Sequence, residues 1–149
     1  MRRLCIGIAV AVMGVLLVPG VAGSAAKGKK RAVDITVKAA VVDSANGSNT
    51  VAGVLSGKPT GSGAVVYKTR SSGSDIAATY KAFYAKGTLR GTVLTTPTPQ
   101  PDGSVSFNGK LQIKGGTGKY RGAKGKDLTV TGTLANNRIT FHITGSVRY

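Results

Sequence analysis

Few residues in this chain are equipped for acid–base or nucleophilic work. It carries one histidine, His142, one cysteine, Cys5, and five aspartates with no glutamate. A zinc site needs three or four nitrogen, thiolate or carboxylate ligands, and His142 has no such companions at ligand spacing. A nucleophile relay needs a marked serine or cysteine beside its base, and no motif marks one near His142. Neither a metal nor a cofactor is therefore expected. What remains is a set of groups suited to holding a ligand. Tyr67, Tyr80 and Tyr84 combine a flat apolar face with a polar tip, which fits a planar apolar molecule and equally fits ordinary sheet packing. Asp34 and His142 lie in segments that alternate polar and apolar residues. They add a carboxylate and an imidazole to the candidate ligand contacts.

The densest cluster of unusual residues is Gly115-Gly116-Thr117-Gly118-Lys119-Tyr120-Arg121-Gly122-Ala123-Lys124-Gly125, with Lys126 directly after it. Its chemistry as a phosphate cradle fails on spacing. Lys119 and Lys126 each follow a glycine, but neither pair has a second glycine five residues upstream or a Ser or Thr after the lysine. Gly116, Gly118 and Gly122 also miss the two-then-three spacing of a dinucleotide loop. A backbone role fits better: Gly115, Gly116, Gly118, Gly122 and Gly125 permit a close chain crossing and a bend, and Tyr120 anchors the bend by packing. Lys119, Arg121, Lys124 and Lys126 are candidate contacts for an anionic partner. Nucleic-acid recognition interleaves cations with exposed aromatics, and Tyr120 alone accompanies these four, so no nucleic-acid motif is read.

The elements that must position these residues are strands. Val33, Ile35, Val37, Ala39 and Val41 alternate with Asp34, Thr36 and Lys38, a period of two with one buried side. Asn46-Gly47 is a hairpin turn signal. Thr50–Leu55 and Ala64–Arg70 read as further strands. Ile76 to Lys86 holds four alanines, which favour helix, yet Tyr80, Ala82 and Tyr84 alternate with Thr79, Lys81 and Phe83, and Gly87 and Gly91 interrupt any helical continuation. Strand is the reading. Pro97 to Gly103, with three prolines and an Asp-Gly, reads as a turn-rich loop. Ser104 to Ile113, Leu128 to Leu134 and Ile139 to Val147 alternate again, with Val105, Phe107, Leu111 and Ile113 on one face and Ile139, Phe141, Ile143 and Val147 on another. About eight short strands with turns between them predict an all-β antiparallel sandwich or barrel.

Met1-Arg2-Arg3 followed by an apolar run from Leu4 to Val18, Pro19-Gly20 and a stretch of small residues is the pattern of a secretory signal, with cleavage after Ala26. The run is too short for the roughly 20 apolar residues that span a bilayer, so no membrane span is expected after cleavage. Residues 27–32 then read as a basic flexible arm and 33–149 as one domain. Of the 149 residues, 123 remain once these 26 are removed, and of the 21 lysines and arginines 19 remain against five aspartates, a balance of +14. The mature chain has no cysteine, so an exported protein of this sequence holds together by core packing and sheet hydrogen bonds. Its charge favours anionic partners such as an acidic wall or surface polymer.

The glycine cluster, preceded by Leu111-Gln112-Ile113-Lys114 and followed by Ile139-Thr140-Phe141-His142-Ile143-Thr144-Gly145, resembles the signature of the allene oxide cyclase and dirigent barrel superfamily. Phe83-Tyr84-Ala85-Lys86-Gly87 and Leu89-Arg90-Gly91 fall in register upstream, so the resemblance spans about residues 80–147. It implies a single eight-stranded antiparallel barrel with a ligand-sized lumen, export, and the option of a homo-oligomer. The cyclases of that family use a glutamate near the start of the barrel, which this chain lacks, and Asp34 is the carboxylate in the first strand. Its dirigent members use aspartates and polar aromatics, and Asp75, Tyr67, Tyr80 and Tyr84 are of those types. The expectation is a secreted barrel that binds a hydrophobic or aromatic small molecule in its lumen. The alternatives are an isomerase or coupling guide of the same superfamily, and a basic wall-associated protein that binds anionic polymer.

Overall fold

The computed structural model describes residues 28–149, and the signal sequence expected over residues 1–26 lies outside them. Eight strands follow one another in an antiparallel meander: β1 (Lys30–Ala45), β2 (Ser48–Lys58), β3 (Gly63–Ser72), β4 (Asp75–Tyr84), β5 (Gly87–Pro99), β6 (Val105–Gly116), β7 (Gly125–Ala135) and β8 (Arg138–Arg148). β8 pairs back onto β1 and closes the sheet into a barrel, with Ile35 opposite Ile143 and Val37 opposite Phe141. Closure leaves no free edge on the sheet. The only helical element among the described residues is one 3-10 turn, Gly118–Tyr120.

Period-two alternation decides which side of each strand is buried. Val33, Ile35, Val37 and Ala39 of β1 point inward while Asp34 and Lys38 point outward. The same parity places Val65 and Tyr67, Tyr80 and Ala82, Leu89 and Val93, Leu111 and Ile113, Leu128 and Val130, and Ile139, Ile143 and Val147 in one continuous core. Each fully buried Val, Leu or Ile among them contributes about 1.5–3 kcal/mol relative to exposure. The hairpins follow from local backbone chemistry. Asn46-Gly47 and Asn136-Asn137 all have positive φ, as the tight two-residue turn demands.

Among the boundaries that differ from the expectation, two have a definable reason. β1 begins at Lys30, not Val33, because the end of β8 offers a partner ladder: Lys30, Arg31 and Ala32 face Arg148, Val147 and Ser146. The Arg31 guanidinium also stands 5.2 Å from the centre of the Tyr149 ring, which favours order. β5 runs on through Pro97 and Pro99, where a loop was expected. Its last partner on the β4 side is Ile76, opposite Thr95, so the prolines meet only β6 and their missing N–H groups face no ladder.

Candidate functional site

The barrel has two unlike ends. The β2–β3, β4–β5 and β6–β7 connections and both ends of the described chain crowd one of them, and the glycine cluster builds its plug. Thr117 N–H donates to the Thr88 carbonyl at 2.9 Å and Lys119 N–H to the Lys86 carbonyl at 2.8 Å, which pins the 3-10 turn across the start of β5. The two chains approach so closely that only glycine fits. Gly118 has φ of +56°, and a Cβ there would strike the Lys86 carbonyl oxygen, while one on Gly87 would strike the Thr117 carbonyl oxygen. Tyr120 drops inward, 2% exposed, and stands edge-on to Tyr84 at 5.5 Å and to Tyr149 at 5.1 Å between ring centroids.

Behind this plug the lumen is filled. Val33, Ile35, Leu55, Tyr80, Leu128 and their neighbours leave a void of about 30 Å³, room for one water molecule. At the other end, between the β1–β2, β3–β4, β5–β6 and β7–β8 hairpins, the lumen opens into a cup of about 130 Å³. Its wall is made by Val41, Ile76, Val93, Leu134 and Ile139, with Asn49, Thr69 and Thr95 as polar members. Tyr67 is the partition, since its side chain lines both spaces. It packs 6.0 Å from Tyr80 below and 6.1 Å from Phe141 above, and Phe141 in turn meets Phe107 edge-on at 5.7 Å. The floor of the cup is thus an aromatic cluster.

The cup is apolar and electrically neutral. Burial pushes the Tyr67 and Tyr80 phenols far above the ordinary tyrosine range, and each is raised further by the neighbouring phenols. Both carry their protons throughout the physiological range. No aspartate, histidine, lysine or arginine lines the cup or the void beneath it.

The sequence-expected contacts separate accordingly. Tyr67, Tyr80 and Tyr84 do face the lumen, but only Tyr67 reaches the cup, while Tyr80 lines the small void and Tyr84 belongs to the plug. Asp34 and His142 are not lumen residues. They sit on the outer wall, where the inward parity of Ile35 and Ile143 forces their neighbours outward, with side chains 67% and 50% exposed and His142 Nε2 3.4 Å from Asp34 Oδ1. Lys119, Arg121, Lys124 and Lys126 surround the plug on the outside, and Lys124 Nζ donates to the Lys114 carbonyl at 2.8 Å. The cup-lining role of Ile76 and Leu134 carried no signal in the sequence beyond their place at the ends of apolar faces. Their meeting depends on which hairpins share an end of the barrel.

Fold and lumen together define a small closed β-barrel with one plugged end and one apolar cup. Nothing among known protein families, curated proteins or solved structures matches the chain. Among the described residues no group of three or more His, Cys, Asp or Glu side chains is placed to hold a metal ion.

Proposed function

We propose that this protein is an exported ligand-binding barrel of the allene oxide cyclase and dirigent type, and that its mouth cup takes a small apolar or aromatic group. The observation that carries the reading is the cup itself, about 130 Å³ of apolar space above a floor of Tyr67, Phe107 and Phe141. Apolar cavities of roughly 150 Å³ remain dry and take up a molecule of benzene size. Edge-to-face partners on the floor favour an aromatic ring over an aliphatic chain of equal volume. Asn49, Thr69 and Thr95 supply hydrogen-bonding groups to orient a single polar substituent.

Binding is favoured over isomerisation by the composition of the lining. Opening an epoxide or steering a radical pair calls for a group that stabilises developing charge or moves a proton. The lumen offers phenols that burial holds neutral and threonine and asparagine groups, and Asp34 stands outside it. The test is thermal unfolding in the presence of benzene, toluene or phenol, compared with an Ala78→Phe variant. Ala78 lines the cup between Thr69 and Val93, so a phenyl group there occupies the ligand space. The original chain gains stability with rising ligand concentration, and the variant does not. Equal response of the two proteins, or none in either, contradicts the reading.

A further inference from the structure

On the outer wall, β3, β4, β5 and β6 bring together cations that are far apart in the sequence. Their registers build three ladder rows across the strands. The middle row is neutral and hydrogen-bonding apart from its first member: Lys68 faces Thr79, Thr79 faces Thr92, and Thr92 faces Gln112. The row toward the mouth runs from Arg70 through Ala77 and Leu94 to Lys110. The row toward the plug places Lys81 directly opposite Arg90, with Lys114 alongside on β6. Two shallow troughs, of about 520 Å³ and 740 Å³, lie on this wall, and both are lined by Lys68, Thr79 and Thr92, so they run together. From Ala77 to Phe83 along β4 the joined trough extends about 20 Å, at roughly 3.4 Å per residue.

The charge in this trough is uncompensated. Lys68, Arg70, Lys81, Arg90, Lys110 and Lys114 line it and no aspartate does. Among the described residues the one close contact between a basic side chain and a carboxylate joins His142 and Asp34 on the β1–β8 wall. Asp75, at the mouth end of β4, has an oxygen taken by the Thr96 hydroxyl at 2.7 Å. Like charges placed directly across two strands, as Lys81 and Arg90 are, cost stability. A protein that holds six cations around a row of hydroxyl and amide groups has a surface matched to negative charge spaced along a polar chain.

We propose that the outer face of β3–β6 is a docking trough for a linear acidic polysaccharide. Its carboxylates or sulfates would meet Lys81, Arg90 and Lys114 on one flank and Arg70 and Lys110 on the other, and its hydroxyls the Thr79–Thr92–Gln112 row. A nucleic acid is the less suited polyanion, because bases need exposed rings to stack on. The trough has one exposed aromatic, Phe83, and Lys81 Nζ lies 5.2 Å from its ring centre. The site is independent of the mouth cup, which opens on the inside of the barrel.

The test measures equilibrium binding of the purified protein to polygalacturonate, dextran sulfate, neutral dextran and single-stranded poly(dT), from low to high salt. Two double variants remove the same charge: Lys81→Gln with Arg90→Gln in the trough, and Lys38→Gln with Arg138→Gln on the opposite wall around β1 and β8. The proposal expects binding to an acidic polysaccharide that weakens with salt. It also expects a loss of about tenfold or more in the trough variant, and less than about threefold in the opposite-wall variant. Equal losses in both variants reduce the effect to net charge and overturn the site. Tighter binding of poly(dT) than of either acidic polysaccharide assigns the face to nucleic acid and overturns the partner. Absence of binding at low salt overturns both. Circular dichroism of each variant verifies that the barrel is intact, and all four substituted positions are at the barrel surface.

Discussion

Tyr120 stands edge-on to Tyr84, with ring centroids 5.5 Å apart and planes at 61°, and this contact seals one end of the barrel. The glycine cluster exists to deliver that ring: it crosses the start of β5 at backbone contact distance and turns Tyr120 inward. The residues that looked most like a binding loop are therefore what makes the barrel one-ended.

Replacing Tyr120 with alanine removes a side chain that is 2% exposed and leaves a void under the plug. The expected cost is about 3–5 kcal/mol, in the range of other large aromatic truncations. Tyr120→Phe keeps the ring and its edge-on contacts and retains most of the stability. Urea unfolding of the two variants measures the difference. A loss below about 1 kcal/mol in Tyr120→Ala would show that the plug is dispensable.

Alkaline pH supplies a second prediction. The Tyr67, Tyr80 and Tyr84 phenols are all raised above their ordinary value, principally by burial. A group that holds its proton more tightly when folded stabilises the fold fully below its unfolded pKa, near 10, and that stability is lost as pH rises beyond it. The melting temperature is expected to show no tyrosine-driven loss from neutral pH to about 9, then to fall steeply above about 10. Tyr67→Phe has no phenol to ionise at that position, so its alkaline decline is shallower. Parallel curves for the two proteins above that pH would show that Tyr67 is not part of the effect.

Most of the fold was legible because each strand declares its inward face. Val33, Ile35, Val37 and Ala39, or Ile139, Phe141 and Ile143, need no partner to reveal which side is buried. Asn-Gly and Asn-Asn turns then imply a meander. The site was less legible for a reason specific to closed barrels. Alternation shows that Tyr67, Tyr80 and Tyr84 share a side, but not how far along the axis each one sits. Only the register separates Tyr67 at the cup from Tyr84 in the plug. Asp34 and His142 were drawn to the lumen by their chemistry, although their parity with Ile35 and Ile143 already pointed them outward. The basic trough was hidden differently, since Lys68, Lys81, Arg90 and Lys110 are ordinary outward residues one strand at a time and become a group only when four strands are laid side by side.

The outward position of the Asp34–His142 pair gives a control for the lumen. Asp34→Asn or His142→Ala alters an exposed contact of 3.4 Å, and stability is expected to change by less than about 1 kcal/mol. Affinity for an aromatic ligand in the cup is expected to stay the same in both variants. A several-fold loss of ligand affinity on either substitution would place the binding site on the outer wall.

A methyl-detected NMR titration of the protein with benzene tests directly whether the cup is the binding site. Ile76, Leu134 and Ile139 line the cup, whereas Leu55, Leu128 and Val147 surround the void behind Tyr67. Saturable, ring-current-sized shifts are expected in the first three, with the second three nearly still. Shifts confined to the exposed Val54 and Leu94 on the outer wall, or no saturable shift at any methyl, would contradict binding in the cup.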